Sequence, residues 1–269
     1  MVVHSFDIGI RHLGFASLRV FLQPNHQRRF TFEVLDWRVI DCATIADCEE
    51  ADLNKTTLQG VIWITSTAWQ KQTDVLVDQQ ERPDWLLLES QPMRNRKMQF
   101  VSHNLLAFLL GHWSRKGHTP QSCFVSGRVK LQEADFRELL EKSNKAEAKQ
   151  EGRRRTTKEK RADESKKYNE NKKHAKLMTE VVLQENCRQD SDRYLEWFRN
   201  LGYKRDDAAD ALLQGVYKAR DLLECSRKRP RDIRTAMGVK FKKAQKRPRV
   251  RTKAKKLAAS ADEGLCDMD

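Results

Sequence analysis

The chain has 269 residues, with 52 Lys+Arg against 38 Asp+Glu, a formal net charge of +14 and 39% hydrophobic residues. That length admits one large domain or two small ones, and an apolar share below the ~45–50% of an ordinary globular chain predicts that part of the sequence packs no core. No apolar run approaches the ~18 residues of a membrane span and no basic start runs into an apolar stretch as in a secretion signal, so the expectation is a soluble, intracellular, non-secreted protein without membrane contact.

VVHSFDIGIRHLGFASLRVFL reads as a strand, a glycine-containing turn and a second strand, and FTFEVLDWRVID alternates as a third; together they predict an antiparallel meander over residues 2–41. Residues 57–79 place Leu58, Val61, Ile62, Thr65, Ala68, Trp69, Val75 and Leu76 at helical spacing before Arg82-Pro83 ends the pattern. DWLLLES is a short continuous apolar run of buried-strand type. MQFVSHNLLAFLLGHW (98–113) predicts a buried helix ending near Gly111, and QSCFVSGRVKL a fifth strand. Residues 135–176 are rich in Lys, Arg and Glu, which fits a solvated helix or a mobile loop inserted in the body. A helical pattern returns in AKLMTEVVLQENC, DRYLEWFRNLG is a short helix ending at Gly202, and DDAADALLQGVYKARDLLEC is the last ordered helix. The order predicts an α/β fold: a mixed five-stranded sheet, three antiparallel strands and then parallel ones, flanked by helices.

Charge is distributed unevenly along this body. Residues 227–256 hold fifteen Lys/Arg and one acid, Asp232, which equals the net charge of the whole chain. Residues 142–176 carry fourteen basic and six acidic groups, and the last thirteen residues carry four acids and no Lys or Arg. The division is therefore a folded body over 1–226 and a basic tail over 227–269 that packs no core and ends in acids. Basic segments this dense suit a polyanion, most often nucleic acid. The six cysteines form no C-x-x-C pair and lie away from histidines at zinc spacing, so they read as reduced thiols.

Acids appear where an acid is unexpected. Asp7 ends the first apolar run in the pattern D-x-G-x-x-x-x-G, where glycines let a ligand or metal approach the backbone; a turn carboxylate is the plainer explanation. Glu89 closes WLLLE, and a charge there needs a cleft, a cation or an arginine, Arg94 and Arg96 being near in sequence. In KRDDAADALLQG, Asp207 and Asp210 are i, i+3 neighbours and Asp206 and Asp210 i, i+4 neighbours, so either pair shares a helix face. The helix dipole accounts for Asp206 and Asp207 at an N-terminus but not for Asp210. Repelling acids beside small alanines suit a hard cation such as Mg²⁺ or Mn²⁺. Three carboxylate clusters beside a polyanion-binding tail suggest two-metal phosphodiester hydrolysis.

These segments resemble the RuvC-like Holliday junction resolvases of the ribonuclease H-like superfamily. SFDIGIRHLGFA is similar to that family's first-strand aspartate motif, WLLLESQ to its glutamate strand and DDAADALL to its helical aspartate pair. LLLESQPMRNRKMQFVSHNLLAFL is similar to the poxviral and mitochondrial branch. The resemblance spans about residues 2–218, with 135–170 matching nothing. It implies Asp7, Glu89, Asp207 and Asp210 as catalytic metal ligands for two Mg²⁺ (Mn²⁺ a substitute), Asp206 being the alternative to Asp207. It implies a lysine near the scissile phosphate, among Lys172, Lys173 and Lys176, and DNA-backbone contacts from Arg94, Arg96 and Lys97. It further implies a homodimer on branched DNA, four-way junctions, that makes paired symmetric nicks; a two-fold protein matches a two-fold junction. Helix 98–113 is a candidate interface, with core packing its commoner role.

Other readings remain open at this point. A same-fold nuclease acting on RNA–DNA hybrid, flap or transposon ends shares the carboxylates. An actin-like or sugar-kinase ATPase also begins with D-x-G but predicts a second glycine-rich loop and a repeated domain, and the chain has only 11 glycines. A non-catalytic DNA-binding protein would explain the tail and leave Glu89 and Asp210 without a role. RKRPR and KKAQKRPRVRTKAKK resemble nuclear import signals, and a first strand at residue 2 leaves little room for a mitochondrial presequence, so the expected setting is nuclear, cytoplasmic or a viral factory.

Overall fold

Side-chain alternation along the first strand sorts the molecule into two layers. In β1 (Val2–Ile8), Val3 belongs to one hydrophobic cluster while Phe6 and Ile8 belong to another on the opposite face, as the two-residue period of a strand requires. As a computed structural model, the protein is described over residues 1–22, 30–48, 56–127 and 157–226, the side chains of 157–167 and 203 excepted. All of these fall within one compact unit, Met1–Gly238.

The sheet is the mixed five-stranded one expected, in the order β3-β2-β1-β4-β5. β2 (His12–Leu22) pairs antiparallel with β1 and with β3 (Phe30–Asp41). β4 (Trp85–Glu89) and β5 (Gln121–Val125) continue it in parallel. The apolar run of β4 follows from its position: Leu87 packs on one face and Leu86 and Leu88 on the other, all fully buried.

Helix α1 (Cys42–Ile45) follows β3 directly and was not foreseen. Helix α2 (Leu58–Lys71) starts where Thr57 Oγ1 accepts the Gly60 N–H. The pattern expected to be one helix over 57–79 is broken: α2 ends at Lys71, and a π-helical turn, Asp74–Asp78, buries Leu76 and Val77. Helix α3 (Arg96–Arg115), capped by Asn95, runs past Gly111 to Arg115. The left-handed turn that follows is at Gly117, φ 69°. Met98, Val101, Leu105, Leu109 and Trp113 of α3 join α2 beneath β1 and β4.

The other face carries α4 (Thr157–Asn186), α5 (Ser191–Asn200) and α6 (Arg205–Ser226). Residues 157–176 of the proposed basic insertion are the first two-thirds of α4, continuous with the apolar helix that follows; 128–156 and the tail 227–269 lie outside the described residues. Helix α6 lies close on the sheet because its contact residues are small. A Cβ on Gly215 would stand 2.8 Å from Leu18 Cδ1 and 2.9 Å from Ser5 Cβ. Beside it the buried Gln214 amide donates towards Ser5 Oγ, Phe6 O and Leu87 O at 3.3, 3.3 and 3.4 Å, which ties α6 to both central strands. No helix among the described residues is long and apolar enough to cross a membrane. Cys42, Cys48, Cys123, Cys187 and Cys225 are free thiols, and burial pushes Cys42 up to about 12; Cys266 lies outside the described residues.

Candidate active site

Residue parity brings the acids together. Asp7 follows Ser5 and Glu89 follows Leu87 by one strand period, so both leave the sheet on the α6 side, at the C-terminal ends of adjacent parallel strands. Asp207 and Asp210 stand in the first turns of α6. All four line one open cleft of about 390 Å³, together with Asp206, Lys172, Tyr168 and Asn171. Three segments far apart in the chain therefore deliver the four carboxylates expected from the sequence.

The two glycines of D-x-G-x-x-x-x-G work structurally. Gly9 N donates to His12 O at 2.9 Å in the β1–β2 turn, where a Cβ would come 2.4 Å from that oxygen. Gly14, opposite Asp7 in the β1–β2 register, leaves the space that α6 occupies: a Cβ there would lie 2.4 Å from Asp207 O. The expectation of backbone approach by a ligand is thus replaced at Gly14 by approach of a helix. A further glycine, Gly127, clears Glu89 on the β5 side, a Cβ there standing 2.7 Å from Glu89 Oε1.

Glu89 is oriented by Gln91, whose Nε2 donates to Oε2 at 2.9 Å, while Arg94 and Arg96 are exposed on the segment leading into α3. Neither lines the cleft. Lys97 donates to Thr56 O at 2.6 Å, tying α3 to the entry of α2. Of the three candidate lysines, Lys172 lines the cleft and ion-pairs with Asp206. Lys173 is exposed and Lys176 half-buried, outside the cleft lining but near enough to add to the field at Asp206.

Burial, and then the charges of Asp206 and Asp210 against an opposing Lys172, push Asp207 up to about 6. Burial works against ionisation of Asp206 as well, but the hydrogen bond and charge of Lys172 prevail and hold it below the ordinary carboxylate range. Lys172 is raised because its hydrogen bonds to Asp206 and Tyr168 outweigh burial. The cleft is therefore lined by five carboxylates, with Lys172 the lysine among its lining residues.

Sequence reasoning missed the groups that pack behind Asp207. His12 bridges Asp207 and Asp41, with Nδ1 3.5 Å from Asp207 Oδ2 and Nε2 3.4 Å from Asp41 Oδ2. Asp41 also draws Arg11 and Lys204 at 3.4 and 3.7 Å. His12 lies inside the first-strand motif, and its pairing with Asp41 comes from the β2–β3 register.

Among the described residues, no group of three or more His, Cys, Asp or Glu is closed to metal-ligating distance. The donor set nevertheless suits a hard divalent cation: all of it is carboxylate oxygen, drawn from three elements around one cleft.

No protein-family model matches the chain, and no curated protein matches it. Its likeness to solved structures is one of fold. The yeast mitochondrial Holliday junction resolvase Ydc2 superposes with a TM-score of 0.51 at 12% identity, over 87% of this chain and 85% of that one. Thermus thermophilus RuvC gives 0.42 at 14% identity over 82% and 96%, and fowlpox virus resolvase, solved with substrate Holliday junction DNA, 0.38 at 13% over 83% and 99%. The likeness in fold rests on the first.

Proposed function

We propose that the chain is a structure-selective endonuclease that resolves four-way DNA junctions by paired symmetric nicks through metal-dependent phosphodiester hydrolysis. The observation that carries this reading is the convergence of Asp7, Glu89, Asp207 and Asp210 on one cleft beside Lys172. The fold shared with a yeast mitochondrial Holliday junction resolvase supports the choice of substrate.

Asp7, Glu89, Asp207 and Asp210 would hold two Mg²⁺ ions, with Mn²⁺ as a substitute. Such ions supply activation of the attacking water and neutralise charge on the leaving 3′ oxygen. The chain's own residues do the rest. β1, β4 and α6 hold the carboxylates on rigid elements, Gln91 and His12 orient Glu89 and Asp207, and Lys172 offers a cation to the entering phosphate. Arg94 and Arg96, exposed just beyond Glu89, and the basic tail would contact the DNA backbone without choosing its sequence.

A two-fold substrate calls for two cleavage sites, and the outward side of α3 is the surface this reading assigns to a second copy. Its inward residues are core, but Phe100 is 53% exposed and His103 packs at a tilt on exposed Phe124 of β5, ring centres 4.9 Å apart. The proposed setting is the nucleus, the cytoplasm or a viral factory, from the basic clusters after residue 226.

The test is Mg²⁺-dependent nicking of a synthetic four-way junction by the parent, Asp7→Asn and Asp207→Asn, with duplex, flap and RNA–DNA hybrid as competing substrates. The reading requires junction nicking by the parent that both variants lose; a parent that binds the junction without cutting it, or variants that cut normally, would refute it.

A further inference from the structure

Asp206 and Asp207 are adjacent in sequence and point to different neighbours, because consecutive helical residues are turned by about 100°. Asp207 faces the sheet: its carbonyl crowds Gly14 and its carboxylate lies 3.5 Å from His12 Nδ1. Asp206 faces α4, where its Oδ2 accepts from Lys172 Nζ. The pair is inside the cleft, the Asp206 side chain 13% and the Lys172 side chain 34% exposed. On its other side Lys172 is met by Tyr168, its ammonium 4.9 Å from the ring centre. Tyr168 itself is 58% exposed at the cleft rim.

We propose that Asp206 is a positioning residue and not a cation ligand: it holds the Lys172 ammonium at the cleft wall beside the carboxylates, with the Tyr168 ring limiting its sweep. This rests on reading the cleft as a phosphodiester-cleaving site. A lysine is a flexible point charge with three donors. Fixing it before DNA arrives removes part of the ordering cost at binding and sets where its remaining donor capacity meets a phosphate oxygen. The arrangement also divides labour among the aspartates of α6. With Asp206 compensated by Lys172, the negative charge available to cations comes from Asp207 and Asp210.

The experiment uses the full chain as parent, Asp206→Asn, Lys172→Met, the double variant and Asp207→Asn as a ligand reference, each checked for folding by thermal melting. Asp206→Ser repeats the test should the amide disturb α6. Mn²⁺ alone is titrated by calorimetry, and single-turnover nicking of a synthetic four-way junction is followed against Mg²⁺ concentration. Asp206→Asn is expected to bind Mn²⁺ within about twofold of the parent, whereas Asp207→Asn loses at least the roughly tenfold that removing a ligand's supporting partner costs. Its nicking rate is expected to fall roughly 10- to 100-fold with the Mg²⁺ half-saturation unchanged, and the double variant to be no slower than Lys172→Met alone. Loss of Mn²⁺ affinity by Asp206→Asn to match Asp207→Asn overturns the proposal, as does a double variant slowed by the product of the single effects. A parent that binds Mn²⁺ but cuts nothing defeats the nuclease reading, while the Mn²⁺ titration still decides between ligand and positioning residue.

Discussion

Gly14 and the Asp207 carbonyl are in such close apposition that a Cβ on Gly14 would lie 2.4 Å from that oxygen and 3.3 Å from Ala211 Cβ. The first turn of α6 thus rests on the backbone of β2, and the height of Asp207 above the sheet is set by a missing side chain. Gly14→Ala must lift the helix or bend the strand. The expected cost is about 1–3 kcal/mol of stability, read from urea denaturation, together with weaker Mn²⁺ binding as Asp207 leaves Asp7. Wild-type stability and Mn²⁺ affinity in this variant would show that the close approach has no role in building the site.

His4 predicts an acid-sensitive fold. It is fully buried between the rings of Phe15 and Trp113, at centroid distances of 5.6 and 5.8 Å, and burial lowers its pKa from 6.5 to about 3, a nearby His118 adding to the effect and a backbone contact at Glu81 opposing it. The unfolded chain protonates this imidazole near pH 6.5 and the folded chain does not until about pH 3. Its contribution to stability is complete above pH 6.5, falls as pH drops at up to about 1.4 kcal/mol per pH unit, and levels off below pH 3. Urea midpoints of the parent and His4→Phe, measured from pH 7.5 to 4.5, should diverge in slope, the variant losing less on acidification. Parallel slopes would remove His4 as the cause.

Much of the site was legible because its acids interrupt strong apolar patterns. Glu89 ends an apolar strand, Asp7 stands one residue before the end of another, and Asp207 and Asp210 recur at one helical spacing. What was not legible depends on how elements meet. Lys172, Lys173 and Lys176 are alike in sequence, and only the packing of Ala175, Met178 and Leu183 against the sheet turns Lys172 towards Asp206. The His12–Asp41 pair is a product of the β2–β3 register. Helix α1 is four residues long, too short for periodicity to show, and the π-helical turn after α2 keeps an apolar pattern while changing its phase.

Residues 227–256 hold fifteen Lys/Arg, and each phosphate neutralised steepens the salt dependence of duplex binding by about 0.9 in log–log slope. Truncation after residue 226 is expected to weaken junction binding and flatten that slope while leaving single-turnover nicking at saturating protein near the parent rate. A fluorescence-anisotropy titration across salt concentrations checks it. Unchanged affinity and slope would assign the tail another partner.

In a two-fold assembly, each copy's cleft of Asp7, Glu89, Asp207 and Asp210 is expected to cut one of two opposed strands of a junction. Mapping the cuts tests it most directly: a four-way junction carried in a plasmid cruciform, or built with each strand end-labelled in turn, is incubated with the protein and Mg²⁺ and the nicks are located to the nucleotide. Nicks at symmetric positions in two opposed strands, sealed by ligase without processing and absent with Glu89→Gln, are the predicted result. Cuts confined to one strand, cuts equally frequent in linear duplex, or an intact junction under conditions of full binding would contradict it.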